Sequence, residues 1–225
     1  MLELNIITVN NGKYNVSVID NDQYIGNTIK HGYEWDGYMR SDIEKYYKPG
    51  TDIIDIGANI GYNTLMFSDY GPVHSFEPVF YKIVDINIKN NTLKHDVTLY
   101  SIALSDCNKD VTMYLPKNPT DNPNVINYGG TSMFLTESHN ENQTILCKCD
   151  TLDNIYYGVP SIIKIDVEGN EINVLKGAIN TLKLHKPMLY IEIGDYKNSE
   201  IPEFLKEFGY KDPEPKPEHM YIFTV

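Results

Sequence analysis

The clearest chemical pattern in the chain is a glycine-containing turn that follows an apolar segment. Residues 52–56 have the composition of a buried strand, Gly57 and Gly61 follow it, and residues 60–68 favour a helix. Glu77 lies at the end of the next apolar run. In an open α/β sheet, this order places a nucleoside-bearing ligand across the carboxyl ends of the strands. We expect Gly57 to let the backbone approach that ligand and Glu77 to accept hydrogen bonds from two ribose hydroxyls.

The glycine spacing distinguishes between two classes of nucleoside cofactor. A dinucleotide site would have the pattern G-x-G-x-x-G, whereas this chain has three residues between Gly57 and Gly61 and places Asp55 just before them. The carboxylate of Asp55 would repel a pyrophosphate, because like charges in a partly dry cleft destabilise each other. S-adenosylmethionine carries a sulfonium and an ammonium group and has no phosphate. It is therefore the cofactor that this turn favours.

Length, charge and cysteine content limit the class of protein. The 225 residues suit one α/β domain, and the net charge of −12 disfavours a nucleic acid partner. The three cysteines cannot all pair, and we interpret them as free thiols. The chain has no apolar run approaching about 18 residues and no basic-then-apolar leader. We therefore expect a soluble, cytoplasmic protein that does not associate with a membrane.

Apolar runs alternate with helical patterns over most of the chain, which is typical of an α/β fold. Residues 4–9 and 14–19 flank Asn10-Asn11-Gly12, a strong hairpin signal, and residues 22–47 favour one or two helices. The predicted core strands are 53–56, 73–76, 97–100, 162–165, 188–193 and 220–225, and the predicted helices are 60–68, 81–91, 171–184 (kinked at Gly177) and 201–208. Such continuous apolar strands belong to a sheet covered on both faces. Residues 106–150 break the alternation with extra strands at 111–115 and 144–148 and a long loop at 116–142. A proline-rich turn at 212–217 precedes the last predicted strand.

Two sequence blocks resemble the FkbM-type methyltransferases. One is Asp55-Ile-Gly-Ala-Asn-Ile-Gly-Tyr62, and the other is Ile163-Lys-Ile-Asp-Val-Glu-Gly-Asn-Glu171, with support from Phe76-Glu77-Pro78 and Thr151-Leu152-Asp153. The resemblance covers about residues 30–195. It implies an α/β class I methyltransferase fold, which is a Rossmann-like, seven-stranded, mainly parallel sheet with helices on both faces, here with an N-terminal hairpin and helical extension. Residues 1–47 would form the hairpin and lid helices, and residues 48–225 would bind S-adenosylmethionine.

The resemblance also implies an activity and a set of site residues. The activity is O-methylation, by S-adenosylmethionine, of a hydroxyl on a sugar, glycan or related small molecule. The hairpin and the loop at 116–142 lie outside the matching blocks, so we expect them to select the acceptor. The cofactor-binding residues that the resemblance implies are Asp55, Gly57, Asn59, Gly61, Glu77, Pro78, Ser101, Ala103 and Asp166.

Deprotonation of the acceptor is the step that needs a side chain. A sugar hydroxyl is a poor nucleophile, and a positioned base contributes about 10²–10⁴-fold. Asp166 and Glu192 lie at the carboxyl ends of two predicted strands, 162–165 and 188–193, which the resemblance implies are neighbours in the sheet. One of them is therefore expected to be the base, with His219 as a further candidate. The two carboxylates would also suit a divalent cation such as Mg²⁺ or Mn²⁺. Lys164 is expected to be structural, with its side chain directed away from that of Asp166.

Three alternative functions were compared with the sequence. A nicotinamide-dependent reductase is disfavoured by the glycine spacing and by the absence of a Tyr-x-x-x-Lys pair. An RNA ribose 2′-O-methyltransferase would use a Lys–Asp–Lys–Glu set, which Asp166, Lys176 and Glu192 loosely match, although the acidic charge opposes an RNA acceptor. A non-catalytic protein that binds the cofactor is the third alternative. The sequence leaves the oligomeric state undetermined.

Overall fold

The computed structural model describes residues 4–118 and 124–225. Its strands are β1 Ile6–Asn10, β2 Asn15–Ile19, β3 Asp52–Ile56, β4 Val73–Phe76, β5 Val97–Tyr100, β6 Ala103–Leu104, β7 Lys109–Pro116, β8 His139–Asp150, β9 Pro160–Ile165, β10 Met188–Glu192, β11 Glu214–Pro215 and β12 Met220–Phe223. Its α-helices are α1 Ile25–Lys30, α2 Met39–Tyr46, α3 Tyr62–Phe67, α4 Tyr81–Lys89, α5 Leu152–Ile155, α6 Glu171–Lys176, α7 Ile179–His185 and α8 Ile201–Lys206.

The central sheet has seven strands in the order β11-β12-β10-β9-β3-β4-β5. Strands β10, β9, β3, β4 and β5 pair in parallel, whereas β12 is antiparallel to β10. The two-residue edge strand β11 lies inside the segment 212–217 that we predicted to be a turn. Because the parallel strands all end at one edge, the residues that follow them are brought together there.

Both faces of the central strands are covered by helices. Successive residues of a strand point to opposite faces, so Ile54 and Ile56 pack in one cluster with Val174, Leu182 and other residues of α6, α7 and α8. Ile53 packs on the other face with residues of α2 and α3. The α/β architecture expected from the apolar pattern is therefore present. Among the described residues, no helix has the length and hydropathy required to cross a bilayer.

The N-terminal hairpin packs against the helices beside the glycine turn. Strands β1 and β2 pair antiparallel, and Val16 and Val18 are fully buried in a cluster that includes residues of α3 and α4. The Asn87 side chain joins the two parts, because its amide donates to the carbonyls of Ser17 (3.0 Å) and Ile60 (2.8 Å). Residues 1–3 of the predicted N-terminal segment lie outside the described part of the chain.

One predicted helix and two predicted strands differ in the structure. The single helix at 171–184 is two helices, because α6 ends at Lys176 and α7 begins at Ile179. A Cβ on the intervening Gly177 would lie 2.0 Å from the Ser105 carbonyl oxygen, so the chain passes too close for any larger residue. Strands β7 and β8 are longer than predicted and form a three-stranded sheet with β6. They occupy both ends of the predicted loop at 116–142, of which residues 119–123 lie outside the description.

Candidate active site

A cleft of about 260 Å³ opens at the carboxyl edge of the central sheet. Its lining includes the residues that end or follow four parallel strands, namely Gly57 after β3, Glu77 after β4, Asp166 after β9 and Glu192 at the end of β10. These residues are far apart in sequence and meet because the strands are parallel and neighbouring. The cleft is therefore at the edge where ligands bind in open α/β sheets.

The cleft is strongly acidic. Its lining contains six carboxylic acids and one imidazole, that of His219, and no lysine or arginine of the described chain is part of it. A concave site lined by one sign of charge concentrates ligands of the opposite sign. The cleft therefore favours a cationic ligand over a phosphate-bearing one. The six acids are Asp36, Glu77, Asp166, Glu168, Glu192 and Glu218.

Glu77 is held in a cradle of backbone amides. Its Oε1 accepts from the N–H groups of Val79 (2.8 Å) and Phe80 (2.9 Å), and its Oε2 accepts from that of Asn59 (2.8 Å). Burial raises the pKa of Glu77 to about 7, in opposition to these three hydrogen bonds. A carboxylate has about four acceptor positions, so Glu77 has room for one further hydroxyl. This is fewer than the two ribose hydroxyls expected to bind it, and the contact of Glu77 with a ribose stays a prediction.

Asn59 and the residues after Glu77 form the adjoining part of the wall. Asn59 has a left-handed backbone (φ 55°), and its side-chain oxygen accepts from the N–H of Ile60 (2.8 Å), which is a local bond that suits asparagine in this conformation. Asn59, Pro78 and Ala103 all line the cleft, as expected of cofactor-binding residues. Ser101 is exposed to solvent and is not part of the lining, because the chain turns inward only after it.

Both glycines of the turn are required by packing. Gly57 has φ 80°, and a Cβ there would lie 1.7 Å from the Asp166 carbonyl oxygen. The absence of a side chain therefore allows the ends of β3 and β9 to approach each other, while the backbone of Gly57 still faces the cleft. Gly61 has φ 84° and would place a Cβ 2.8 Å from Val84, so it lets α3 contact α4. Gly61 does not line the cleft, which corrects its expected contact with the cofactor.

Asp55 lies beneath the cleft rather than in its wall. Its side chain is fully buried, and its Oδ2 accepts from the Thr64 hydroxyl (2.6 Å). The Lys164 ammonium lies 3.5 Å from Asp55 Oδ1 and 3.3 Å from Asp166 Oδ2, and it donates to the Gly57 carbonyl (3.0 Å). Asp55 therefore acts on the site through Lys164, and the expected direct contact with a cationic ligand is not present.

The position of Lys164 contradicts the expectation that it points away from Asp166. Residues two apart on a strand share a face, so Lys164 and Asp166 are directed to the same side. Burial by itself would lower the pKa of Lys164, but the carboxylates of Asp166 and Asp55 outweigh that effect and raise it. Lys164 is therefore a buried cation that is fixed at the base of the site.

Three carboxylates meet above Lys164. One oxygen from each of Asp166, Glu168 and Glu192 lies within 4.8 Å of the others, and we call these three residues the carboxylate cluster. Asp166 and Glu192 are neighbours because Ile165 pairs with Ile191 in the parallel ladder of β9 and β10. The sequence therefore identified the two strand ends correctly. It missed Glu168 as a member, although Glu168 belongs to the second sequence block and lies only two residues beyond Asp166.

The carboxylate cluster carries more negative charge than its surroundings compensate. Burial raises the pKa of Glu192, and the charges of Asp166 and Glu168 raise it further. Burial and then the charges of Asp166 and Glu171 raise the pKa of Glu168 to about 8. Like charges at this separation do not all ionise without a proton or a cation. The three acids therefore share a proton or bind a cation. A member that is ionised is a stronger base than an exposed carboxylate, and the oxygen set also suits a divalent cation.

Of the remaining polar and aromatic residues near the site, some line the cleft and one does not. His219 lines the cleft, and its carbonyl accepts from the N–H of Ile193 (2.9 Å), which fixes it beside the end of β10. Trp35 and Asp36 also line the cleft. Lys176 does not line it and instead pairs with Glu200 (3.6 Å). The tetrad expected for an RNA ribose methyltransferase is therefore not assembled in the cleft.

Comparison with known proteins identifies related sequences. A model of the methyltransferase FkbM domain matches residues 55–211. The chain is 27% identical over 129 residues to the hexuronic acid methyltransferase AglP of Haloferax volcanii, which is 57% of this chain and 50% of AglP. The chain thus spans about half the length of the curated relative that it matches.

Two solved structures share the fold. The methyltransferase FkbM of Methylobacillus flagellatus KT superposes with a TM-score of 0.54 and 18% identity, over 80% of this chain and 46% of that one. The M. jannaschii tRNA m1G37 methyltransferase superposes with a TM-score of 0.50 and 11% identity, over 98% of this chain and 56% of that one. These likenesses show a methyltransferase-like α/β fold.

Proposed function

Because the chain belongs to the FkbM methyltransferase family, we propose that it transfers a methyl group from S-adenosylmethionine to a hydroxyl of a sugar, glycan or related metabolite. The observation that carries this proposal is the acidic cleft, in which no described lysine or arginine takes part in the lining. A sulfonium and an ammonium group suit such a surface, whereas a pyrophosphate or an RNA backbone would be repelled by it. The name of the curated relative supports a sugar as the acceptor class.

We assign the donor to the part of the cleft between Gly57 and Ala103. The one remaining acceptor position of Glu77 binds a ribose hydroxyl, and a hydrogen bond to a charged group of this kind is worth about 1.5–3 kcal/mol. Ile102 and Leu104 precede and follow Ala103 in the sequence and also line the cleft. Their apolar side chains provide a surface for the adenine. When bound, S-adenosylmethionine supplies a methyl group that is already activated. The remaining task of the protein is to orient the acceptor and to accept its proton.

The carboxylate cluster is the proposed proton acceptor. The acceptor hydroxyl would pass its proton to the Asp166–Glu192 pair as its oxygen takes the methyl group, whose bond to sulfur breaks. The proton neutralises one carboxylate, and the positive charge of the sulfonium is lost as the neutral thioether leaves. A raised pKa makes Glu192 a stronger base than an exposed carboxylate once it is ionised. His219, at the rim beside the end of β10, is placed to relay that proton to solvent.

The same oxygens define the alternative route. Mg²⁺ or Mn²⁺ bound by Asp166, Glu168 and Glu192 would lower the pKa of the hydroxyl directly. Turnover that persists in EDTA supports the carboxylates as the proton acceptor. Turnover that stops in EDTA and returns with Mg²⁺ or Mn²⁺ assigns the cluster to a cation.

The proposal is tested in two steps with the purified chain. Calorimetric titration should show binding of S-adenosylmethionine and none of NAD⁺, and the reverse result would end the proposal. Asp166→Asn should then lower methyl transfer to sugar acceptors by at least about 100-fold, while donor affinity stays within about tenfold. Asp110→Asn is the matched control, because Asp110 lies in an exposed ion pair with Lys148. Equal activity of the two variants would remove Asp166 from the reaction.

A further inference from the structure

A second cavity, of about 460 Å³, adjoins the cleft. Glu168 and Glu192 line both spaces, so two members of the carboxylate cluster form the boundary between them. We call this space the outer cavity. Its other lining residues come from the start of α6 and from the segment 193–201 that follows β10. A molecule in the outer cavity therefore lies against the same carboxylates as a molecule in the cleft.

We propose that the outer cavity is the acceptor subsite and that it takes an uncharged sugar or an amino sugar rather than a uronic acid or a phosphorylated sugar. This inference rests on the function proposed above. Transfer in line requires the acceptor oxygen to reach the donor methyl with the group that accepts its proton beside it, so the two substrates must meet at the carboxylate cluster. The cleft and the outer cavity satisfy that requirement, because they share Glu168 and Glu192.

The lining of the outer cavity suits hydroxyl groups. Asp195, Asn198 and Ser199 line it, and one amide hydrogen of Asn198 is used to hold Asp195 (2.8 Å). The Ser199 oxygen accepts from the N–H of Ile201 (3.2 Å), which leaves its own hydrogen to donate. Carboxylate, amide and hydroxyl groups together offer both donors and acceptors. Such a set matches the paired hydroxyls of a sugar ring.

An aromatic ring lies beside Gly169, although Phe134 itself is not a lining residue of the outer cavity. Gly169 lines the cavity, and the position that a Cβ would take on Gly169 is 3.6 Å from the ring of Phe134. Phe134 is 46% exposed, so much of its ring is open to solvent. An apolar ring face beside polar groups complements a sugar, which has an apolar C–H face and hydroxyls at its rim.

The charge of the outer cavity selects among sugars. Five of its lining residues are carboxylic acids, and no lysine or arginine of the described chain lines it. Not all of these acids are ionised, since burial and like charges raise the pKa of Glu168 and Glu192, and Glu200 pairs with Lys176 (3.6 Å). The acids that are ionised repel a uronate or a phosphate. An uncharged hydroxylated ring avoids that repulsion, and a protonated amine is attracted. The five acids are Glu168, Glu171, Glu192, Asp195 and Glu200.

Gly194 offers a way to fill the outer cavity without touching the cleft. It lines the outer cavity and not the cleft. A Cβ on it would meet no atom within 4 Å, and its backbone is not in the left-handed region. Gly194→Phe should therefore project a ring into the cavity with little backbone strain, and Gly194→Ala is the matched control that leaves the cavity open.

The experiment compares methyl glycosides in matched sets of three, consisting of the neutral sugar, its uronate and its 2-amino derivative, in the gluco, galacto and manno configurations. Transfer of a radiolabelled methyl group is measured at pH 7.5. We expect kcat/KM for the neutral or amino member to exceed that for the uronate by at least about 100-fold. A uronate that is preferred, or equal, overturns the inference and leaves the proposed function standing.

The Gly194 variants test the location of the subsite on the best acceptor of that panel. Gly194→Phe should lower its kcat/KM by at least about tenfold with unchanged affinity for S-adenosylmethionine, and Gly194→Ala should behave as the wild type. Retained donor binding shows that Gly194→Phe is folded. Normal turnover in Gly194→Phe overturns the assignment of the outer cavity. Binding of the donor with no product from any sugar overturns the proposed function, and the inference falls with it.

Discussion

Replacing Lys164 with methionine would remove a cation from beneath the cleft while nearly preserving side-chain length. Lys164 is 2% exposed, and its ammonium lies 3.5 Å from Asp55 and 3.3 Å from Asp166. It also donates to the carbonyl of Gly57 (3.0 Å). The substitution therefore breaks two ion pairs and one hydrogen bond at once, and it tests whether this lysine fixes the base of the site.

The loss is expected to be large because Asp55 has no route to solvent. Asp55 is fully buried, and its Oδ1 atom has no hydrogen bond within the described part of the chain. Removing one member of a buried pair costs about 3–5 kcal/mol, since the other charge is left uncompensated. In a chain of this length each kcal/mol lowers the Tm by about 2–4 °C. Lys164→Met should thus lower the Tm by roughly 6–20 °C.

The assay is urea unfolding, followed by circular dichroism, together with thermal melting. Lys148→Met is the control: its ion pair with Asp110 is shorter (2.7 Å) but exposed to solvent, and such pairs are worth about 0–1 kcal/mol. The double variant Asp55→Asn/Lys164→Met should recover part of the loss, because no buried charge then remains unpaired at that position. If Lys164→Met loses no more stability than Lys148→Met, or the double variant is less stable than the single one, the reasoning is refuted.

Two further predictions concern the turn and its acid. Gly57→Ala should lose more than about 4 kcal/mol of unfolding free energy or fail to fold, because its Cβ would lie 1.7 Å from the Asp166 carbonyl oxygen. Gly50→Ala is the control: Gly50 has φ 83° and open space around it, so this variant should lose only about 1–2 kcal/mol. Equal losses of the two variants in urea unfolding would contradict the packing role of Gly57. Glu77→Gln should weaken binding of S-adenosylmethionine by about 10–150-fold. Because burial raises the pKa of Glu77 to about 7 and only the ionised carboxylate accepts from the ribose, wild-type affinity should rise from pH 6 to pH 8 and that of the variant should not, and a flat calorimetric profile in the wild type would count against this role.

The strand ends were predictable because two independent signals coincide there. The apolar runs that end at Ile56, Phe76, Tyr100 and Ile165 are each followed at once by polar or turn-forming residues. A buried parallel strand requires such a run, so its end is visible in the sequence. Helix boundaries were less visible, because they depend on contacts. At Gly177, for example, the helix stops where the chain touches Ser105, a residue 72 positions earlier.

The side-chain partners were the part that the sequence did not reveal. Asp55 was expected to face the ligand, because its distance from Gly57 places it at the correct end of the strand. Its actual direction depends on Thr64 and Lys164, which lie on other elements. Spacing along a strand shows which face a residue occupies, but not whether a neighbouring strand supplies a counter-ion there. Glu168 lies with Asp166 in the second sequence block, but it was not predicted as a base or cation ligand, because its approach to Glu192 depends on the fold.

Charge compensation decreases from the sheet toward the cleft. Asp55, inside the sheet, has both Lys164 and a hydroxyl as partners, and Asp166 at the strand end shares the same lysine. Glu168 and Glu192, one step farther out, form no ion pair with a lysine or arginine of the described chain. The acids without a cationic partner are therefore concentrated where the cleft and the outer cavity meet. A cation arriving there gains electrostatic free energy that an anion would lose, so the same gradient of charge favours a sulfonium donor on one side of the carboxylate cluster and disfavours an acidic sugar on the other.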